Sequence, residues 1–248
     1  MIKRTFDLFK QQLNSNLYKG DNVYCCVCES GFKKFKTFGW RGKKKPRCYN
    51  CGSFQRHRLI WKYLNDKFDI LNRPIKVLHF APEKKFFEIL SKNEVIEYYP
   101  CDLYPDSFNY PNSHKILKGD ITDIPFQSNY FDFILCNHVL EHIPDDKKAM
   151  SELFRVMKSG GFGIFQVPID YSREVTYEDP SITNPKEREK EFGQYDHVRW
   201  YGKDYQERLE KVGFEVFKDD FVNTFSLKDQ NRYGFDSAEL IYHCKKTA

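Results

Sequence analysis

From Ile75 onward, short apolar runs alternate with longer segments in which apolar residues recur at helical spacing. Such runs are typical of strands buried on both faces, and their alternation with helices indicates a parallel, doubly wound sheet. The pattern predicts strands at 75–80, 95–99, 115–117, 131–136, 162–167, 214–217 and 239–244. It predicts helices at 84–91, 145–157 and 203–212, the second closed by Gly160 and Gly161.

The first 73 residues follow a different pattern, in which aromatic and basic residues are interleaved between Gly31 and Arg47. A helix is predicted after Cys51, with Ser53 as its N-cap. Its apolar stripe consists of Leu59, Ile60, Tyr63 and Leu64. The sequence Asn72-Arg73-Pro74 then predicts a domain boundary, because the residue before a proline is disfavoured in a helix.

The charge of the chain divides at the same point. Residues 1–73 contain 17 Lys and Arg against 5 Asp and Glu, whereas the remainder contains 23 against 30. The basic part is suited to phosphate groups, or it is simply a solvated face. No apolar run is long enough to span a membrane and the first residues lack the apolar centre of a signal peptide, so we expect a cytoplasmic protein.

Four cysteines near the N-terminus have the spacing C-x2-C-x19-C-x2-C; they are Cys25, Cys28, Cys48 and Cys51. Two such pairs can place four thiolates tetrahedrally around one zinc ion. Because four protein ligands leave no open position, the predicted zinc is structural. Cys26 is an alternative ligand or a free thiol, and unmetallated buried cysteines are the competing interpretation.

The aromatic residues between the two cysteine pairs have two interpretations. Interleaved with lysine and arginine, they can stack on bases while the cations neutralise phosphates. They can equally fill the core of a unit too small to build another one. They are Phe32, Phe35, Phe38 and Trp40, and the basic residues are Lys33, Lys34, Lys36, Arg41, Lys43, Lys44 and Lys45.

Acidic and polar side chains follow three of the predicted strands. Asp102 follows the second strand, Asp120 the third, and Asn137 and His138 the fourth. Ligands of open α/β sheets bind at these carboxyl ends. A carboxylate after the second strand can accept hydrogen bonds from two ribose hydroxyls, and Asp120 can accept one from an adenine amino group. Together they predict a cofactor that contains a nucleoside.

The segment NHVLEHIPDDKKAMSELFRVMKSGG resembles the class I S-adenosylmethionine-dependent methyltransferases of the type 11-like group, and the resemblance covers about residues 75–244. Through CGSFQRHRLIWKYL and LHFAPE the chain is also similar to bacterial methyltransferase-like proteins with an N-terminal cysteine motif. The resemblance implies a Rossmann-like α/β fold, a seven-stranded sheet with an antiparallel last strand. The cofactor-binding residues that follow from strand ends and resemblance are His79, Phe80, Ala81, Glu83, Asp102, Leu103, Asp120, Ile121, Asn137, His138 and Val139.

One motif departs from that family. Where the family has a glycine-rich turn, this chain has His79-Phe80-Ala81-Pro82-Glu83. Glycine lets the backbone approach a ligand closely, so Ala81 and Pro82 require a different path. Glu83 is placed to meet the ammonium group of the cofactor.

The candidates for proton transfer lie near the carboxyl ends of the fourth and fifth predicted strands or in a long charged insertion at about 169–200. It ends in Tyr195, Asp196 and His197, and the ordinary pKa of histidine makes His197 the first candidate base. The alternative is that Asp196 and His197 anchor the insertion by hydrogen bonds. His142 is expected to be structural, and Glu141 with His138 and His142 does not match a recognised metal-ligand spacing.

The sequence therefore predicts a basic zinc-ribbon unit with a connecting helix at 1–73 and a methyltransferase domain at 74–248. Its expected function is methyl transfer from S-adenosylmethionine to a small-molecule or sugar-like acceptor. One alternative is an RNA methyltransferase that holds RNA on the basic zinc ribbon. Another is a non-catalytic relative that binds the cofactor or RNA.

Overall fold

The computed structural model describes residues 13–40 and 43–247, which fall into two compact units. The first unit contains the described residues up to Asn72 together with Asp220–Leu240, and the second contains Arg73–Asp219 with the chain from Ile241. The predicted boundary lies after residue 73, and the first division between the units lies between Asn72 and Arg73. Residues 220–240, however, were predicted to belong to 74–248 and are part of the first unit. No described helix is both long and apolar enough to cross a membrane.

The first unit begins with two antiparallel hairpins and a helix. These are β1 (Lys19–Cys25), β2 (Ser30–Phe32), β3 (Lys36–Trp40), β4 (Lys43–Arg47) and α1 (Gln55–Phe68). The predicted apolar stripe of α1 is buried, as are Phe32 and Phe35, whereas Phe38 is exposed. Phe32 and Phe35 therefore belong to the core of the small unit. Arg41 and the side chains of Trp40, Lys43 and Lys44 lie outside the described part of the chain.

The beginning of α1 differs from the prediction. Phe54 is the N-cap, so Ser53 does not cap the helix as expected, and the ring nitrogen Nδ1 of His57 accepts a hydrogen bond from the Phe54 amide at 3.4 Å. The Ser53 hydroxyl instead lies 3.2 Å from the sulfurs of both Cys25 and Cys51. The Ser53 hydroxyl thus contacts the cysteine sulfurs and does not cap the helix.

The second unit is built on a seven-stranded sheet in the order β12-β13-β9-β8-β5-β6-β7. Strands β5 to β9 pair in parallel, and β13 is antiparallel to both of its neighbours. This confirms the expected architecture. The strands of this sheet are β5 (Lys76–Phe80), β6 (Glu97–Asp102), β7 (Leu117–Lys118), β8 (Phe131–Asn137), β9 (Met157–Gln166), β12 (Glu215–Asp219) and β13 (Ile241–Lys245). Two further strands, β10 (Tyr177–Glu178) and β11 (Arg199–Trp200), form a separate antiparallel pair. The helices are α2 (Lys84–Leu90), α3 (Asp146–Val156), α4 (Pro185–Phe192) and α5 (Tyr205–Glu210).

The prediction that Gly160 and Gly161 close the preceding helix is wrong. Helix α3 ends at Val156, and β9 begins at Met157 without an intervening turn. Both glycines lie inside β9, where Gly160 has a φ of 77°. A Cβ atom on Gly161 would lie 2.8 Å from the Lys158 carbonyl oxygen. The glycines therefore serve an irregular start of the strand rather than a helix end.

Segment 220–240 contains α6 (Leu227–Tyr233) and belongs to the first unit through specific contacts with α1. The buried guanidinium of Arg58 donates hydrogen bonds to the carbonyl oxygens of Tyr233 and Gly234. The rings of Tyr63 and Phe221 lie 5.1 Å apart between centroids. The Arg58 side chain thus satisfies backbone carbonyl groups of this segment. Such a contact with the backbone cannot be predicted from the residue types of the segment.

Candidate functional site

A cleft of about 690 Å³ lies at the carboxyl ends of the central strands of the second unit. Eight of the eleven predicted cofactor residues line it: Phe80, Ala81, Asp102, Leu103, Asp120, Ile121, His138 and Val139. The other lining residues are Tyr104, Gly119, Thr122, His142, Ile143, Pro144, Asp145 and Asp196. The fold therefore brings four strand ends and the insertion to one concave surface.

Two residues of the cleft have left-handed backbone conformations without being glycine. Ala81 has a φ of 47° and His138 a φ of 56°. Each follows the end of a central strand, β5 for Ala81 and β8 for His138. Ala81 thus turns the chain in the motif where the resembled family uses glycine, and His138 makes a second left-handed turn after β8.

The three predicted cofactor residues that do not line the cleft are linked by hydrogen bonds. His79 is buried, with its Nε2 atom 2.7 Å from the Glu83 carboxylate and its Nδ1 atom 2.9 Å from the Tyr98 hydroxyl. The other Glu83 oxygen accepts a hydrogen bond from the amide of Asn137. These hydrogen bonds connect the turn after β5 to the end of β8. His79, Glu83 and Asn137 therefore stabilise the cleft without lining it.

Asp102 and Asp120 each use one carboxylate oxygen to hold their own turn. Oδ1 of Asp102 accepts from the Tyr104 amide at 2.7 Å, and burial raises the pKa of Asp102 above its ordinary value. Oδ1 of Asp120 accepts from the amide and the hydroxyl of Thr122, both at 2.8 Å. These bonds fix the orientation of both carboxylates at the cleft wall, where each keeps a second oxygen for a ligand.

The insertion is a folded part of the second unit, held by Arg199. Its buried guanidinium donates to the carbonyl oxygens of Leu140 and Pro144 and to the carboxylate of Glu178. The amide of Val198 also donates to the Glu141 carbonyl at 2.9 Å. The end of the insertion is therefore attached to the loop that follows β8.

The three predicted catalytic residues occupy different environments. Asp196 lines the cleft, with its carboxylate 3.4 Å from Nδ1 of His142. Tyr195 is 60% exposed and His197 is 5% exposed, and neither is among the lining residues. Burial lowers the pKa of His197. Sequence reasoning missed His142 as a cleft residue, because its position depends on how the loop after β8 is held.

A buried carboxylate lies beside these histidines. Glu141 is 1% exposed, and its Oε1 atom lies 3.2 Å from Nδ1 of His138. Burial raises the pKa of Glu141, but the hydrogen bond to His138 and the nearby histidine charges outweigh it and hold the pKa below its ordinary value. Its Oε2 atom is buried and has no hydrogen-bond partner in the described structure.

In the first unit, the four predicted metal-binding cysteines converge. The Sγ atoms of Cys25, Cys28, Cys48 and Cys51 all lie within 4.8 Å of one another. The Sγ atoms of Cys25 and Cys51 are 3.6 Å apart, as are those of Cys28 and Cys48. Four sulfurs placed 2.3 Å from a tetrahedral zinc ion would be about 3.8 Å apart. Cys26 instead donates to the Arg58 carbonyl at 3.3 Å, and burial raises its pKa to about 12. Cys26 is thus a neutral thiol outside the cluster.

Comparison with known proteins places a family domain around the cleft. Residues 83–165 match the sequence profile of the family described as "Methyltransferase domain". The sterol 24-C-methyltransferase erg6 of Schizosaccharomyces pombe is 30% identical over 127 residues, which cover 48% of this chain and 31% of that protein. The demethylmenaquinone methyltransferase of Staphylococcus carnosus is 38% identical over 50 residues, which cover 20% of this chain and 21% of that protein. The chain therefore spans less than a third of the length of these relatives.

Among solved structures, the [4+2]-cyclase SpnF superimposes with a TM-score of 0.50 at 13% identity. The superposition covers 87% of this chain and 88% of the cyclase. At this identity the likeness concerns the fold alone. Because one fold supports different reactions, the function has to be argued from the site.

Proposed function

We propose that the chain is an S-adenosylmethionine-dependent methyltransferase that acts on a small-molecule acceptor, because residues 83–165 match the sequence profile of the methyltransferase-domain family. The observation that carries the proposal is the pair of oriented carboxylates, Asp102 and Asp120, on the wall of one cleft. The cleft volume of about 690 Å³ suits S-adenosylmethionine together with part of an acceptor. When bound, the cofactor supplies a methyl group on a sulfonium to a nucleophile.

The residues around the cleft fit the parts of the cofactor. Asp102 is suited to the ribose hydroxyls, and Asp120 with the backbone of Ile121 to the adenine edge. Leu103 and Ile121 add apolar surface for the adenine rings. The turns at Ala81 and His138 line the region proposed for the methionine part. His79, Glu83 and Asn137 stabilise these turns through their hydrogen bonds.

The charge of the cleft bears on the acceptor. Four aspartates line it, and no lysine or arginine is among the described lining residues. Such a surface disfavours phosphate or carboxylate groups and favours a neutral or cationic acceptor. We propose that Asp196 contacts the acceptor and orients it with His142 beside it. In this arrangement His197 supports the His142 ring, which it contacts, and does not line the cleft. Tyr195 is the exposed one of the three predicted catalytic residues.

The four cysteines support a structural zinc ion in the first unit. Thiolates are the ligands that zinc prefers in closed tetrahedral sites, and the observed sulfur separations suit such a site. The ion would join the turns at Cys25–Cys28 and Cys48–Cys51, which otherwise share only a small core. Its proposed role is therefore to stabilise the fold of this unit.

An RNA acceptor is the second candidate, favoured by the excess of positive charge in residues 1–73. Its test is RNA binding at increasing salt, because phosphate contacts release counterions and make affinity fall steeply. The replacement of Lys34 and Lys36 by alanine should then weaken binding. RNA binding that is absent at low salt would contradict this candidate.

The main proposal is tested by cofactor binding measured by calorimetry. Asp102→Ala should weaken S-adenosylmethionine binding by about 10- to 100-fold, since the ribose hydroxyls lose their acceptor. Asp106→Ala, an exposed aspartate outside the cleft, is the matched control and should leave the affinity unchanged. Equal affinities of the wild type and Asp102→Ala would contradict the proposed pose. Labelled cofactor incubated with cell extracts would then identify the acceptor, and binding without turnover would indicate a non-catalytic relative.

A further inference from the structure

Glu141, His142 and His197 form a second group of potential metal ligands, separate from the cysteines. One carboxylate oxygen and one ring nitrogen from each histidine lie within 4.8 Å of one another. Glu141 and His142 belong to a short 3₁₀ helix after β8, Leu140–His142, and His197 comes from the end of the insertion. The sequence spacing did not suggest this set, because the third residue is brought in by the anchoring of Arg199.

The buried carboxylate of Glu141 offers one oxygen atom to a cation. Its Oε2 atom is buried and has no hydrogen-bond partner in the described structure, whereas Oε1 lies beside Nδ1 of His138. A buried carboxylate oxygen without a partner is costly, since it has lost its bonds to water. A metal ion bound by Oε2 would compensate that cost. The His138 contact would then orient the carboxylate, as hydrogen bonds to metal-bound carboxylates do.

A hydrogen bond of His197 and an ion-pair contact of His142 have the pattern found around metal ions. Nδ1 of His197 lies 3.1 Å from the Phe192 carbonyl oxygen, and Nδ1 of His142 lies 3.4 Å from the Asp196 carboxylate. Metal-binding histidines usually donate their second ring N–H to such an oxygen, which fixes the ring and its tautomer. With Nδ1 engaged, Nε2 is the ring nitrogen left for coordination. The two rings are 4.7 Å apart and nearly perpendicular, at 88°.

We propose that Glu141, His142 and His197 bind a divalent transition-metal ion such as Zn²⁺. Two imidazoles and one carboxylate are a ligand set of open zinc and non-haem iron sites. Three protein ligands leave at least one coordination position open. Because His142 lines the cleft, that position is accessible to an oxygen or nitrogen atom of a bound molecule. The proposal goes beyond methyl transfer and does not depend on it.

The test is zinc binding by the full-length protein, without cofactor or acceptor. After removal of metal with a chelator, Zn²⁺ titration should reveal two sites per chain: the cysteine cluster and a second site with a dissociation constant of about 1 μM or lower. His142→Ala, which removes a ligand that is partly exposed, should weaken the second site by about 100-fold or more. Asp196→Asn should weaken it by about 10-fold, since it removes the charged acceptor of His142. His114→Ala, an exposed histidine elsewhere in the second unit, should bind as the wild type does.

Two results would overturn the proposal. One is a wild-type protein that binds a single zinc ion, lost on Cys48→Ser. The other is a second site that is equally strong in the wild type and in His142→Ala. Glu141→Gln keeps the shape of the buried side chain and separates ligand loss from misfolding, so its second site should also weaken while its thermal unfolding stays cooperative. Because cofactor affinity is measured separately, failure of this proposal and failure of the proposed methyl transfer are distinguishable.

Discussion

The cysteine cluster takes its four sulfurs from two short turns, whereas the cleft of the second unit collects side chains from four strand ends and a distant insertion. The cluster lies in a unit of short hairpins whose buried residues come largely from α1. The cleft lies on a sheet whose central strands are almost entirely buried. A metal should therefore contribute much of the folding energy of the first unit, while the second unit folds on its apolar core and uses its polar residues for binding.

The largest effect is expected for Cys48→Ser. Structural zinc binding contributes on the order of 10 kcal/mol to the folding of small zinc domains, so the loss of one ligand should unfold the first unit. Zinc analysis should fall by one ion per chain, and limited proteolysis should cut within residues 13–72. The sheet of the second unit should still unfold cooperatively.

Cys26→Ser is the matched control for this change. Cys26 donates a hydrogen bond outside the cluster, and a serine hydroxyl can also donate one. Zinc content and protease resistance should therefore equal those of the wild type. A protein that loses zinc with Cys26→Ser, or keeps it with Cys48→Ser, would refute the assignment of ligands.

The next effect concerns Arg58, whose charge is buried against carbonyl oxygens and over the ring of Phe35. Arg58→Met leaves these acceptors unsatisfied, so the free energy of unfolding of the zinc-loaded first unit should fall by about 3 kcal/mol. The acceptors are the carbonyl groups of Pro46, Ser53, Tyr233 and Gly234. Hydrogen exchange of residues 220–240 should accelerate together with that of α1.

Lys62→Met provides the comparison on the same helix. Lys62 forms a partly exposed ion pair with Asp66 at i,i+4, and such pairs contribute at most about 0.5 kcal/mol. Chemical denaturation should therefore separate the two variants clearly. Similar losses for Lys62→Met and Arg58→Met would show that the buried arginine is not what joins the segment to α1.

A change in the cleft should reduce binding without reducing stability. Asp120→Asn keeps Oδ1 for the Thr122 hydrogen bonds but replaces the other oxygen with a donor, which cannot accept from an adenine amino group. Cofactor affinity should fall about 10-fold, which corresponds to about 1.4 kcal/mol. The thermal midpoint should stay unchanged, as it should for the exposed neighbour Asp123→Asn, which keeps full affinity. A lower thermal midpoint for Asp120→Asn would contradict the view that the polar residues of the cleft serve binding and not folding.

The two regions also differ in how far their residues could be predicted. The cysteine ligands were readable from spacing, because all four lie in local turns. The strands and the acids at their ends followed from local periodicity, and most of the expected residues do meet in one cleft. Residues 220–240 could not be assigned, because Arg58 recognises their backbone rather than any side chain. The meeting of His142 with His197 was equally hidden, since it depends on Arg199 and on how the insertion folds back.

The smallest effect concerns the turn at Ala81, at the edge of the cleft. Its left-handed φ of 47° costs an L-residue about 1 kcal/mol, part of which is offset because alanine restricts the unfolded chain more than glycine does. Ala81→Gly should therefore raise the free energy of unfolding of the second unit by about 0.5 kcal/mol. Ala149→Gly, the same change inside α3, should lower it by about 1 kcal/mol. If both variants lose stability equally, the turn is not strained, and the absence of glycine from this motif has no energetic consequence.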